Sequence, residues 1–249
     1  MNDRWEEHKE AEVRQAFEGS ERYCAFITEH RSVVSRIRWV VDPDLPEGIR
    51  ARSTQLVNVT DGSAIEVIRL ARIPPEVEDE YMVVHEVMHH LVNAEGFKGL
   101  GVFVRDHSPQ ERALESIASA ITTMLHDPLV HDRLATVGYG EEVANEYDVE
   151  VTRERRILDN KTDPPDPFSR LHWGANYASK ALDFRARHRP SDKDEFRRWF
   201  RRQFPEAAAV GERLLRIVDS YDVKRPNGVE SALARIVHHF KLGHLMFVL

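Results

Sequence analysis

The stretch Val83-Val84-His85-Glu86-Val87-Met88-His89-His90, VVHEVMHH, decides how the rest of the chain is read. Val83, Val84, Val87, Met88, Leu91 and Val92 recur at helical spacing, so residues 76–96 read as one helix, with Gly96 as its C-terminal stop. Residues four apart share a helix face, which points His85 and His89 the same way. The other faces of this helix are apolar, so it belongs in a core. Two histidines and a glutamate are expensive there unless they are paired or bind a metal.

Upstream, SerThrGlnLeuVal from Ser53 opens a β-branched-rich region. The runs Leu56 to Thr60 and Ala64 to Leu70 flank Asp61-Gly62, the pattern of a β-hairpin, and Pro74-Pro75 closes it. Residues 4–41 read as helical with a break near Gly19, carrying Val13, Phe17 and Phe26 at helical spacings, and Pro43 and Pro46 end that pattern. Downstream, a glycine-containing loop at 96–107 leads into a helix from Ser108, and helical pattern continues to about Leu158. The polar, proline-rich segment 159–167 reads as a linker, and 168–249 as wholly helical. The expected fold class is α+β, mostly α: a small β-sheet or hairpin before the key helix, and a helical C-terminal portion. The expected organisation is a domain over 1–160 with a helical subdomain over 161–249 packed on it.

The chain has 249 residues, enough for a sizeable core, and a formal charge of -7, which gives no general reason for a nucleic-acid partner. A single cysteine, Cys24, excludes an internal disulfide and a cysteine-based zinc site. The N-terminus is charged, without the apolar segment of a secretory signal, and no apolar run reaches the roughly 20 residues of a membrane span. A soluble, cytoplasmic protein without a membrane partner is the expectation.

The histidine spacing lets two imidazoles reach one tetrahedral Zn2+. Glu86, turned by about 100° from His85 around the helix, can stand beside the metal as a general base on its water. A catalytic zinc needs a third protein ligand. The extended pattern with a third histidine is missing: Val92 stands where its glycine would be, and Glu95 where the histidine would be. Two carboxylates lie further along the chain, Glu111 and Glu115. Ser108-Pro109-Gln110-Glu111 is a capping box, which occupies Glu111. Glu115 sits among Leu114, Ile117, Ala118 and Ile121, where an unpaired carboxylate is costly. The expected ligands are therefore His85, His89 and Glu115, with an exposed helical glutamate as the other reading of Glu115.

With these residues the sequence resembles the zincin metallopeptidases, in particular the gluzincins, whose third ligand is a glutamate on a following helix. The step from His89 to Glu115 is similar to that of ImmA/IrrE-type regulatory peptidases, although ESIASAI at 115–121 lacks the Asn and Phe of their pattern. The resemblance covers about residues 55–126. It implies a zinc-dependent peptidase in limited or regulatory proteolysis, acting on a protein or peptide substrate. It also implies an exposed edge strand that pairs with the substrate backbone, expected at Ala64 to Leu70.

The alternative is a non-catalytic zincin-like module that binds zinc or a partner, and a third reading is a nucleic-acid-binding regulator. The last would use 185–206, where Phe196, Trp199, Phe200 and Phe204 oppose Arg197, Arg198, Arg201 and Arg202; a solvated face explains the same pattern. The segment with His126, Asp127, His131 and Asp132 offers carboxylates, Asp127 and Asp132, to orient a ligand histidine, or marks a turn at Asp127-Pro128 between two helices. His107, His131, Tyr139, Tyr147, His172 and Tyr177 are candidates for stabilising a tetrahedral intermediate. His90 points away from His89, toward protein or solvent.

Overall fold

The computed structural model describes residues 6–45, 49–57, 64–103, 108–186 and 194–249. The fold is α+β and mostly α. The chain forms two compact units, residues 1–94 with 133–140, and residues 95–132 with 141–249. The division runs through a long helix; the 159–167 segment lies inside the second unit.

In the first unit, β1 (Glu6–His8), β2 (Arg38–Val41), β3 (Ala51–Val57) and β4 (Ala64–Leu70) form one sheet in the order β1-β2-β4-β3. β1 and β2 are antiparallel, β2 and β4 parallel, β3 and β4 antiparallel. Three short helices, α1 (Glu10–Gln15), α2 (Glu21–Glu29) and α3 (Arg31–Val34), lie between β1 and β2, and α4 (Glu80–Ala94) comes after β4. Residues expected to be helical at 6–8 and 38–41 are strands instead. Arg38-Trp39-Val40-Val41 is a short apolar run, and its parallel pairing with β4 outweighs local helical spacing.

β4 begins and ends where its sequence pattern does, but it is not an edge. It lies between β2 and β3, and β3 takes the edge. The compositions explain the order. Ile65, Val67, Ile68 and Leu70 make β4 apolar, while Arg52, Ser53, Thr54 and Gln55 give β3 the polar character an edge tolerates. The Asp61-Gly62 turn lies outside the described residues.

α4 packs against β3 and β4 and is buried on nearly every side: Val83, Val84, Val87 and Val92 have no exposed surface. Gly96, with φ +92, ends it as expected.

The second unit holds β5 (Leu100–Val102), most of α5 (Pro109–Leu134), α6 (Gly140–Leu158), α7 (Pro167–Ala186), α8 (Glu195–Gln203), α9 (Pro205–Val218), α10 (Pro226–His239) and β6 (Met246–Val248). The antiparallel β5–β6 pair departs from the all-helical expectation for 168–249. Ser108 caps α5, its Oγ accepting from Glu111 N at 3.2 Å. Pro128 does not open a turn. It lies inside α5, where the buried Met124, Leu125, Val130 and Leu134 hold the helix despite the missing N–H.

α7 and α9 cross at Gly174 and Gly211. A Cβ on Gly211 would lie 2.3 Å from the Tyr177 ring and 2.7 Å from Gly174 O, so only glycine permits this approach. Two of the four arginines of α8 are occupied beside it. Arg197 and Arg201 both donate to Glu212 and to the Tyr177 hydroxyl. Burial would raise the Glu212 carboxyl, but bonds from Tyr177, Arg201 and Arg197 bring it down to about 2.

Because its folded-state pKa is depressed, Glu212 adds stability above its unfolded value near 4.5 and loses it as pH falls toward about 2. Glu212→Gln is expected to cost about 1 kcal/mol in urea denaturation at pH 7, a figure discounted for the partial exposure of the pair. The difference from wild type should close between pH 4.5 and 2.

Candidate metal centre

α4 positions the motif. His85 and His89, one turn apart on this helix, bring their Nε2 atoms to 3.1 Å. Two nitrogens bound to one tetrahedral zinc at its usual bond length stand roughly 3.3 Å apart, so the pair has the separation of a coordination edge. The same separation serves an N–H···N hydrogen bond when one ring carries its proton at Nε2. His85 is 7% exposed and His89 half-buried. Tyr81, one turn earlier, meets the His85 ring edge-on at 6.0 Å between centroids.

Glu86 is 8% exposed, and its Oε2 accepts from Ser53 N at 2.6 Å. That bond ties the glutamate to the edge strand. It fixes one carboxylate oxygen by geometry and leaves the other for a second proton donor.

Other polar side chains of α4 hold the helix in place. His90 is 1% exposed and donates through Nδ1 to Glu66 on β4, which also accepts from Gln55 Nε2 at 2.7 Å. Burial would raise the Glu66 carboxyl, but the His90 bond and charge, the Gln55 bond and the charge of Arg36 together lower it. Glu80 accepts from Arg22 Nε at 2.9 Å and from the Tyr139 hydroxyl at 2.8 Å, with the Arg22 guanidinium 4.1 Å from the Tyr139 ring centroid. His90 thus contacts protein, and Tyr139 spends its hydroxyl on Glu80.

In the second unit, Glu115 is exposed. The buried face of α5 is set by Ile117, Ala118, Ile121, Met124 and Leu125, and Glu115 lies about 200° around the helix from Ile117. The burial expected for it is not observed. Sequence reasoning gives too little weight to the buried network further along α5. His131 Nδ1 lies 3.0 Å from Asp183 Oδ1 on α7, and His131 Nε2 lies 3.1 Å from Glu146 Oε2 on α6. Lys180 pairs with Glu150. Burial alone would depress His131, but Asp183 and Glu146 raise it to about 10. Burial pushes the Asp127 carboxyl well up. The signal for this network is Asp127 and His131 at i, i+4 on an apolar helix face. His126 Nε2 meets Lys98 O at 2.9 Å; Tyr147 is buried and Tyr177 is engaged with Glu212. His172 is half-buried on α7, and burial holds it below its ordinary range. His107 lies outside the described residues.

Histidine and acidic side chains suited to hold a metal ion are found among the described residues, His85 and His89 in the first unit and Asp127, His131 and Glu146 in the second. No helix of the described residues is long and apolar enough to cross a membrane. The chain matches no protein-family model, no curated protein and no solved structure.

Glu66→Leu leaves His90 buried without its acceptor and is expected to cost roughly 1–3 kcal/mol of stability. Glu66→Gln keeps an acceptor and should cost less than half as much. Urea denaturation of the two variants beside wild type checks the order.

Proposed function

We propose that the protein is a zinc-dependent peptidase of the zincin type, cleaving protein or peptide substrates in limited or regulatory proteolysis. The observation that carries this reading is the 3.1 Å approach of His85 and His89 Nε2 on one helix, with Glu86 between them in sequence and buried at the edge of β3. His85 and His89 would be two of the metal's ligands. Zinc bound there would lower the pKa of its water toward roughly 7 and polarise a carbonyl.

Glu86 supplies the proton traffic. Ser53 N–H holds Oε2, so the proton of the attacking water is taken at Oε1 and passed to the leaving amine. The position of the buried Glu86 in sequence, between His85 and His89 on one helix, supports the catalytic reading. A non-catalytic zinc-binding module is the alternative, and the same experiment separates the two. A nucleic-acid reading of 185–206 loses support, because Arg197 and Arg201 are already engaged by Glu212.

Wild type is expected to hold about one zinc per chain. His85→Ala and His89→Ala should hold much less. Alanine variants at Glu115, the third ligand expected from the resemblance, and at Asp127 and His131 report which further side chain supplies a donor. Glu86→Gln should keep its zinc and lose roughly 10²-fold or more of casein hydrolysis. Zinc without hydrolysis in wild type would favour the non-catalytic module. No zinc in wild type, even when supplied, would remove both.

A further inference from the structure

The bonds made by Glu80, Glu86 and His90 fix the backbone of α4, but not the rotation of its other imidazoles. The last torsion of a histidine side chain joins an sp3 to an sp2 carbon and has a broad profile. Turning His85 about that bond swings Nε2 through an arc. A metal shared by two histidines needs both nitrogens aimed at one point. The contacts made by the His85 ring decide where its Nε2 points.

The first unit sets a file of rings along this side of α4. Tyr81, His85 and His89 stand at i, i+4 and i+8, and each step of four advances only about 40° around the helix. The Tyr81 and His85 centroids are 6.0 Å apart with their planes at 75°, the geometry of an edge-to-face aromatic pair. The His85 and His89 centroids are 4.9 Å apart. Tyr81 meets the His85 ring from the turn before it and His89 from the turn after, with the two Nε2 atoms 3.1 Å apart. A fourth ring anchors the file. Tyr139 lies 6.1 Å from Tyr81 and has no exposed surface; its hydroxyl donates to Glu80, and the Arg22 guanidinium stands over its ring. Tyr81 itself is half-buried, whereas the valines of α4 fill the core.

We propose that Tyr81 is a positioning residue of the metal centre: its ring, backed by Tyr139, holds the His85 imidazole in the orientation that turns Nε2 toward His89. The contact is ring to ring, so the role belongs to the aromatic ring of Tyr81 and not to its hydroxyl. This rests on the reading of His85 and His89 as metal ligands and deepens it, since it adds to the site a side chain outside the histidine motif.

The test is zinc binding to the full chain, measured by competition with a chromophoric chelator, in wild type beside Tyr81→Leu, Tyr81→Met and Tyr81→Phe. The two variants without a ring are expected to bind zinc roughly three- to tenfold more weakly, the worth of one aromatic pair. Tyr81→Phe keeps the ring and should bind within about twofold of wild type. Cobalt(II) supplied in place of zinc gives a second readout. The visible absorption bands of Tyr81→Phe should coincide with those of wild type, and those of the ringless variants should shift or weaken as the ligand orientation loosens. Wild-type zinc binding in the ringless variants, a loss in Tyr81→Phe as large as theirs, or cobalt bands that no variant changes would overturn the inference. Loss of cooperative urea unfolding in the zinc-free ringless variants would assign the ring to the fold and overturn it as well. Zinc binding that depends on the Tyr81 ring, in a wild type that cleaves no casein, would instead leave Tyr81 in its role and end the peptidase reading. A wild type that binds no zinc would end both.

Discussion

A helix with almost no solvent face must find a partner inside the protein for each polar side chain it carries. α4 meets that constraint by sending its polar groups to different elements. Glu80 goes to Arg22 on α2 and to Tyr139, Glu86 to the backbone of β3, and His90 to Glu66 on β4. The valines between them fill the core, while these bonds set the rotation and height of the helix. Any rotation of α4 would break several of them at once, and a buried donor or acceptor left unmade costs more than its bond contributes. The His85–His89 pair inherits its orientation from that anchoring.

The anchoring also explains why the candidate base is tied to a strand. Glu86 gives an edge-strand N–H the acceptor that it lacks within the sheet. An edge would otherwise present such groups to water or to another chain. One bond therefore serves both the stability of β3 and the position of the Glu86 carboxylate.

The features legible in the sequence are local. The His85–His89 relation comes from helix geometry, Gly96 and Ser108 mark ends that need only neighbouring residues, and β4 starts and stops with its β-branched run. The features that are not legible depend on distant pairing. Arg38 to Val41 is too short and too apolar to declare itself a strand without β4 beside it. The exchange of edge and centre between β3 and β4 turns on a third strand that local patterning misses. The face of α5 that is buried is set by what packs on it, so Glu115, surrounded by apolar letters, lies on the outer side, and Pro128 continues a helix that its residue type argues against.

In the second unit His131, one of the side chains suited to hold a metal ion, already has acidic neighbours. His131 has carboxylates at both ring nitrogens, which favours the protonated ring, and a protonated imidazole offers no lone pair to a metal. His85 and His89 face each other's Nε2 atoms instead, 3.1 Å apart. Charge environment separates the two kinds of histidine where spacing does not, since His131 also lies four residues from a potential ligand, Asp127. A metal competing for His131 must first displace a proton that two carboxylates hold, whereas His85 and His89 already stand at the separation of a coordination edge.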